Sequence, residues 1–140
     1  MTGFLLDTNI LSELTRAEPD SGVLAFLDDE SDDVWLPSVA VYEAEYGLRL
    51  LPVGRRRDLL VASYASILAT YSQRVLPFDR AAAEWAANLR AHARRVGRHV
   101  DLGDVLIAGT ARANDLAVAT RNVKDFEPLD VDVLNPWDSS

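Results

Sequence analysis

Four places along this chain of 140 residues hold acids in settings where a carboxylate is out of the ordinary. Asp7 follows directly on the apolar run Phe4, Leu5, Leu6 and precedes Thr8 and Asn9. The run reads as a buried strand, so Asp7 stands at the C-terminal strand edge where open α/β sheets bind ligands. Asp is also a favoured helix N-cap. Both roles stay open, with Thr8, Asn9 and Ser12 as alternative caps. Glu43 lies in a helical stretch and shares its face with Val39, Ala40, Gly47 and Leu50. That setting predicts a partly buried carboxylate, which needs a metal, a proton or an arginine partner. Gly47, one turn on, leaves room for a ligand or a close helix. Asp104 opens the nearly uncharged segment LGDVLIAGTARA and shares a face with Ile107, Ala108 and Ala111. It reads as a site residue or as a first-turn acid favoured by the helix dipole. Asp101 suits the second role better. Finally, ATRNVKDF presents Thr120, Asn122 and Asp125 just after another short strand, as a second polar cluster or as ordinary turn chemistry. Oxygen-only donor sets of this kind suit hard divalent cations. A carboxylate cluster holding such a cation is equipped to hydrolyse a phosphodiester.

Other chemistries are excluded or weakened. There are no cysteines, so disulfides and zinc-thiolate sites are out. His92 and His99 stand seven apart without a metal-binding partner nearby and read as surface residues. No P-loop, dinucleotide glycine pattern or Ser-His-Asp order is present. The formal net charge of -8 argues against simple non-specific binding to nucleic acid, which basic residues drive. It fits carboxylates awaiting cations, or a basic protein partner. The arginines cluster at Arg55, Arg56 and Arg57, and again at Arg90, Arg94, Arg95 and Arg98. Such groups line an RNA path or form solvated helix faces. No apolar run approaches the ~20 residues of a membrane span. The N-terminus lacks the basic region of a signal peptide. A soluble cytoplasmic protein is the expectation.

The elements that must carry the acids follow from periodicity and punctuation. Strands are expected at 3–7, 34–36, 75–77 and 117–119, with a fifth at 131–134. Helices are expected after Thr8, after Asp20 or Ser21 with a core face of Val23, Leu24 and Leu27, and from Pro37 and Ser38 to about Leu51. Pro52 and Gly54 punctuate that end. Further helices are read from Asp58 to Tyr71, after the cap Asp79 to Gly97, and from Leu102 to Asn114. The run 28–33 reads as a polar connection. Regular alternation of strand and helix gives an α/β class with a mainly parallel sheet. One domain is expected over 1–140, with 138–140 as a frayed tail.

The ordered set LLDTNILSEL, VAVYEAEYGL, QRVLPFD, DVLIAGTA, ATRNVKDF and VLNPW resembles the PIN-domain ribonucleases. More narrowly, it resembles the FitB-like branch of the VapC toxins of toxin–antitoxin pairs. The resemblance implies a three-layer α/β/α sandwich on a four- to five-stranded sheet. It implies Mg²⁺ or Mn²⁺ held by Asp7, Glu43 and Asp104, with Thr8, Asn9 and Thr120 in support. A fourth acid commonly follows the Thr-Arg of the late motif. Here Asn122 stands there, so Asn122 or Asp125 fills that place. Arg55, Arg56, Arg94 and Arg98 are candidate RNA contacts. A VapB- or FitA-like antitoxin, an RNA substrate, a homodimer and a toxin–antitoxin hetero-oligomer are the implied partners. A PIN-like scaffold that holds RNA or a partner without turnover is the alternative. Trp35, Tyr42, Tyr46 and Trp137 are read as core or half-buried.

Overall fold

The computed structural model describes residues 3–138. The short strand β1 (Phe4–Leu6) is buried along its whole length and lies at the centre of a five-stranded sheet. Its neighbours are β2 (Val34–Pro37) on one side and β4 (Ala117–Ala119) on the other. β3 (Val75–Leu76) and β5 (Val133–Leu134) form the edges, giving the order β3-β2-β1-β4-β5. All four pairings are parallel, one step beyond the mainly parallel sheet expected.

Side chains of successive strand residues point to opposite faces, and β1 shows the result. Leu5 packs with the helices α5 (Arg80–Arg95) and α6 (Leu102–Ala113) through Leu89, Ala93, Ile107 and Ala108. Phe4 and Leu6 pack on the other face. There they meet α1 (Thr8–Leu14), α2 (Ser21–Asp29), α3 (Ser38–Leu50) and α4 (Arg55–Thr70) through Ile10, Val23, Phe26, Ala40 and Tyr64. Two helical layers around one sheet make the α/β/α sandwich. A seventh helix, α7 (Val123–Phe126), is one turn anchored by the buried Phe126.

Local capping explains where several helices start. Asp20 accepts hydrogen bonds from the amides of Gly22 and Val23 and opens α2. Asp79 accepts from Ala82 and opens α5. Gly97 follows α5 with φ of 74°, a left-handed conformation that favours glycine. α5 and α6 pack closely because α6 carries Gly109. A Cβ there would lie 2.6 Å from the Ala82 carbonyl oxygen and 2.8 Å from the Ala86 amide nitrogen.

Several expectations need correction. In α2 the buried apolar side chains are Val23, as expected, and Phe26, which is edge-on to Phe4 at 5.0 Å, while Leu24 is 46% exposed. That helix has apolar residues on nearly every side, so its pattern did not select a face. α4 begins at Arg55, so the three arginines form its first turn. The expected polar connection is the end of α2 followed by a 3₁₀ turn at Ser31–Asp33. Tyr42 and Tyr46 are not buried. They are 66% and 54% exposed and stack on each other at 6.1 Å. Leu50 and Val96 are likewise exposed. Trp35 and Trp137 are half-buried, each beneath an arginine, Arg74 and Arg121. Asp138 ends a 3₁₀ turn that begins at Pro136; the rest of the expected frayed tail, 139–140, lies outside the described residues.

Candidate active site

The strand order sets where the site forms. From β1 the chain moves outward to β2 and then β3, whereas β4 and β5 add on the opposite side of β1. The crevice between the C-terminal ends of β1 and β4 is therefore a topological switch point, where open α/β sheets bind ligands. Asp7 leaves β1 there and Thr120 leaves β4. The ladder extends to Asp7, whose amide donates to the Ala119 carbonyl at 3.0 Å.

Asp7 is 6% exposed, and both its carboxylate oxygens are engaged. Oδ1 accepts from the Thr8 amide at 2.7 Å, so Asp7 is the N-cap of α1. Oδ2 accepts from the Thr120 hydroxyl at 2.8 Å. The capping role is the one realised, by Asp7 itself rather than by Thr8, Asn9 or Ser12, and its second oxygen faces Thr120 at the sheet edge. The Thr120 hydroxyl in turn accepts from Asn9 Nδ2 at 3.2 Å and from the Asn122 amide at 3.0 Å. This small network holds Asp7 in a single orientation.

Glu43 reaches the same region from α3. It is half-buried, and its Oε1 accepts from the Thr8 hydroxyl at 2.6 Å. The expected arginine rival is not there: none of the ion pairs among the described residues includes Asp7, Glu43 or Asp104. Glu45, read as a surface acid, pairs with Arg49. On the far side, a Cβ on Gly103 would collide with the Glu43 carboxylate. That contact brings the start of α6 against Glu43 and sets the adjoining Asp104 in the cluster. The sequence reading missed Gly103, because nothing in a local pattern shows a contact with another helix.

The electrostatics follow from this crowding. Burial pushes the Asp7 carboxyl above its ordinary range. The bonds from Thr120 and Thr8 pull it back, and the charges of Glu43 and Asp125 push it up again. Asp104 is raised to about 7, chiefly by burial and then by Asp7, Asp101, Asp125 and Glu43. Asp101 occupies the N-cap position of α6, the helix-end place expected for it, although its side chain makes no capping hydrogen bond. Asp125 acts on both Asp7 and Asp104. Asn122 is exposed and is the N-cap of α7, with no side-chain capping bond.

The candidate RNA contacts separate. Arg98 lines a cavity of about 500 Å³ together with His99, Lys124, Asp101, Asp104 and Asp125. It stands at the mouth of the acid cluster. Arg55, Arg56 and Arg94 are exposed on α4 and α5 and do not line that cavity. His92 and His99 are both exposed, as expected. The presence of His99 and Lys124 beside Asp104 was not legible in the sequence.

The donor set consists of carboxylate, hydroxyl and amide oxygens, which suits a hard divalent cation. As the side chains stand, no three acids or histidines among the described residues close around one point. Mg²⁺ typically keeps several waters and uses only one or two carboxylates. A loose, oxygen-lined set with repelling charges therefore fits such an ion.

This fold and site define a class, and comparison with known proteins agrees: the chain belongs to the PIN domain family, whose profile matches residues 4–130. It is 39% identical over 136 residues to VapC ribonuclease Y4jK of Sinorhizobium fredii, covering 96% of this chain and 97% of that protein. It is 39% identical over 135 residues to Toxin FitB of Neisseria gonorrhoeae, covering 95% and 97%. The crystal structure of FitAcB from Neisseria gonorrhoeae superposes with a TM-score of 0.87 at 39% identity, covering 96% of this chain and 99% of that one.

Proposed function

We propose that this chain is the toxin of a toxin–antitoxin pair, a single PIN domain that hydrolyses RNA phosphodiester bonds. The observation that carries the reading is the cluster of Asp7, Glu43, Asp104 and Asp125 at the switch point, raised in pKa at two members and, among the described residues, without an ion pair to arginine or lysine. The names of the relatives support ribonuclease activity, and the related solved structures are toxin–antitoxin complexes, some with DNA. A cognate antitoxin of the VapB or FitA kind is the neutralising partner, in a hetero-oligomer built on a toxin dimer. Among the described residues no helix is long and apolar enough to cross a membrane, which is compatible with work in the cytoplasm.

Asp7, Glu43 and Asp104 are the residues that would hold Mg²⁺ or Mn²⁺, with Asp125 rather than Asn122 as the fourth acid. A bound divalent cation supplies a water of lowered pKa and takes up charge on the attacked phosphate. The chain does the positioning. Thr120 and the Thr8 amide fix both oxygens of Asp7. The Thr8 hydroxyl aims Glu43. Asn9 braces Thr120. Arg98, at the mouth, offers a cation to the RNA backbone.

The test is hydrolysis of total RNA by the purified chain with Mg²⁺ or Mn²⁺, with and without chelator. Asp7→Asn and Asp104→Asn are expected to leave under about one-hundredth of the wild-type rate, beyond the roughly 10–100-fold cost of changing a group that merely orients a metal ligand. Equal cleavage by wild type and both variants would remove the acids from the mechanism.

A further inference from the structure

The strongest feature the mechanism leaves unused is Gly47. It sits inside α3, and glycine is among the poorest residues for a helix interior. No neighbour explains it, since a Cβ there would meet nothing within 4 Å. Gly109, by contrast, is demanded by backbone atoms of α5. What Gly47 provides is open space, and that space is a cleft of about 210 Å³ between α1, α3 and α4. Leu60 and Tyr64 line it from α4, Ser12 from α1, and Thr8 and Glu43 at the end shared with the acid cluster. The cleft is smaller than the ~300 Å³ at which drug-sized pockets begin. It has room for one planar ring system.

We infer that this cleft receives the nucleobase next to the scissile phosphate, making Gly47 and Ser12 determinants of sequence preference. The inference rests on the ribonuclease reading above. A phosphate held at the carboxylates must carry a nucleoside on each side, and this cleft opens from the same Thr8–Glu43 pair. Its walls suit a base face: Leu11, Ala44, Leu48 and Leu60 are apolar, and the buried Tyr64 closes the back. Its rim suits a base edge. Ser12 is exposed there, and the Thr15 hydroxyl, which donates to the Ser12 carbonyl at 2.7 Å, keeps its lone pairs as acceptors. Sequence-specific RNA recognition uses unstacked bases held in this way, by face contact and by hydrogen bonds to their edges.

The experiment is metal-dependent cleavage of a randomised RNA pool, followed by sequencing of the cut ends. Wild type is expected to favour one or two bases at a single position beside the cut. Gly47→Leu places a side chain in the cleft without a clash at Cβ, and is expected to flatten that preference and raise KM about tenfold. Ser12→Trp fills the cleft from the opposite wall and is expected to do the same, so the outcome does not hang on the folding of one variant. An unchanged preference in both variants overturns the inference while leaving the ribonuclease reading intact. Loss of antitoxin binding by both variants with an unchanged cleavage profile also overturns it, and assigns the cleft to the protein partner. A wild type that cuts no RNA removes the underlying reading and the inference with it.

Discussion

The two ends of α1 each bury an acid, and they bury it differently. At the C-terminal end, Glu13 is 5% exposed, pairs with Arg16 at 3.1 Å and accepts from the Asp20 amide at 2.7 Å. At the N-terminal end, Asp7 is buried as deeply, yet its partners are a hydroxyl and an amide, and the nearby charges are acidic. Burial alone therefore does not mark a site. A buried carboxylate held by a cation and a backbone amide has its charge compensated within the chain, and losing a partner would leave it uncompensated. One facing other carboxylates keeps an uncompensated repulsion, and that makes it a candidate cation ligand.

The glycines of α6 repeat the contrast. Gly109 meets backbone, which cannot yield. Gly103 meets the end of a flexible glutamate side chain, which can swing aside. The first holds two helices together, and the second sets the position of a candidate metal ligand.

Opposite signs for the two buried acids test the comparison most severely. Asp7→Asn should stop hydrolysis, as above, while the melting temperature of metal-free protein holds or rises, because a repelled charge is removed. Glu13→Gln should do the reverse. Loss of the charge-assisted bond to the Asp20 amide costs about 1.5–3 kcal/mol, with activity per folded molecule retained. Thermal melts and rate assays on both variants decide the matter; a destabilised Asp7→Asn with a neutral Glu13→Gln would invert the assignment.

Next in size is the glycine pair. Gly109→Ala forces overpacking worth about 1–3 kcal/mol and should lower the melting temperature by several degrees. Gly103→Ala should leave that temperature in place but weaken Mn²⁺ binding by roughly tenfold, the lower end for residues that orient a ligand. Calorimetric titration checks it, and equal destabilisation by both variants would end the distinction.

The smallest effect is the pH response. Asp104 titrates near 7 in the folded chain, against about 3.9 when unfolded. Between those values the folded state binds the extra proton, so stability falls as pH rises through that window. Asp104 is half-exposed, so solvent screening keeps the effect small. Metal-free wild type should melt slightly higher at pH 5 than at pH 8, and Asp104→Asn should reduce the difference. An identical slope in both proteins would show that Asp104 carries no such shift.

Much of the scaffold was legible in residue order. Asp20 and Asp79 were readable as caps because capping is a bond between near neighbours. The alternation of short apolar runs with helical stripes gave the α/β class. Leu24 was misassigned because α2 offers apolar residues on several sides and only packing against Phe4 chose Phe26. The exposure of Tyr42 and Tyr46 was hidden for the same reason: aromatic residues at helical spacing look alike whether or not another layer covers them.

At the site the division is sharper. The sequence by itself determined that acids follow strands β1 and β4 and begin α6, and that Glu43 shares its helix face with uncharged residues, since these depend on short-range period and order. Only the tertiary structure decided that Thr120 grips Asp7 across 113 residues, that Gly103 admits the Glu43 carboxylate, and that no arginine among the described residues forms an ion pair with them. The reason is that the strand order β3-β2-β1-β4-β5 is a set of long-range pairings. A carboxylate becomes a candidate ligand through the charges that surround it in space, and no local pattern records those.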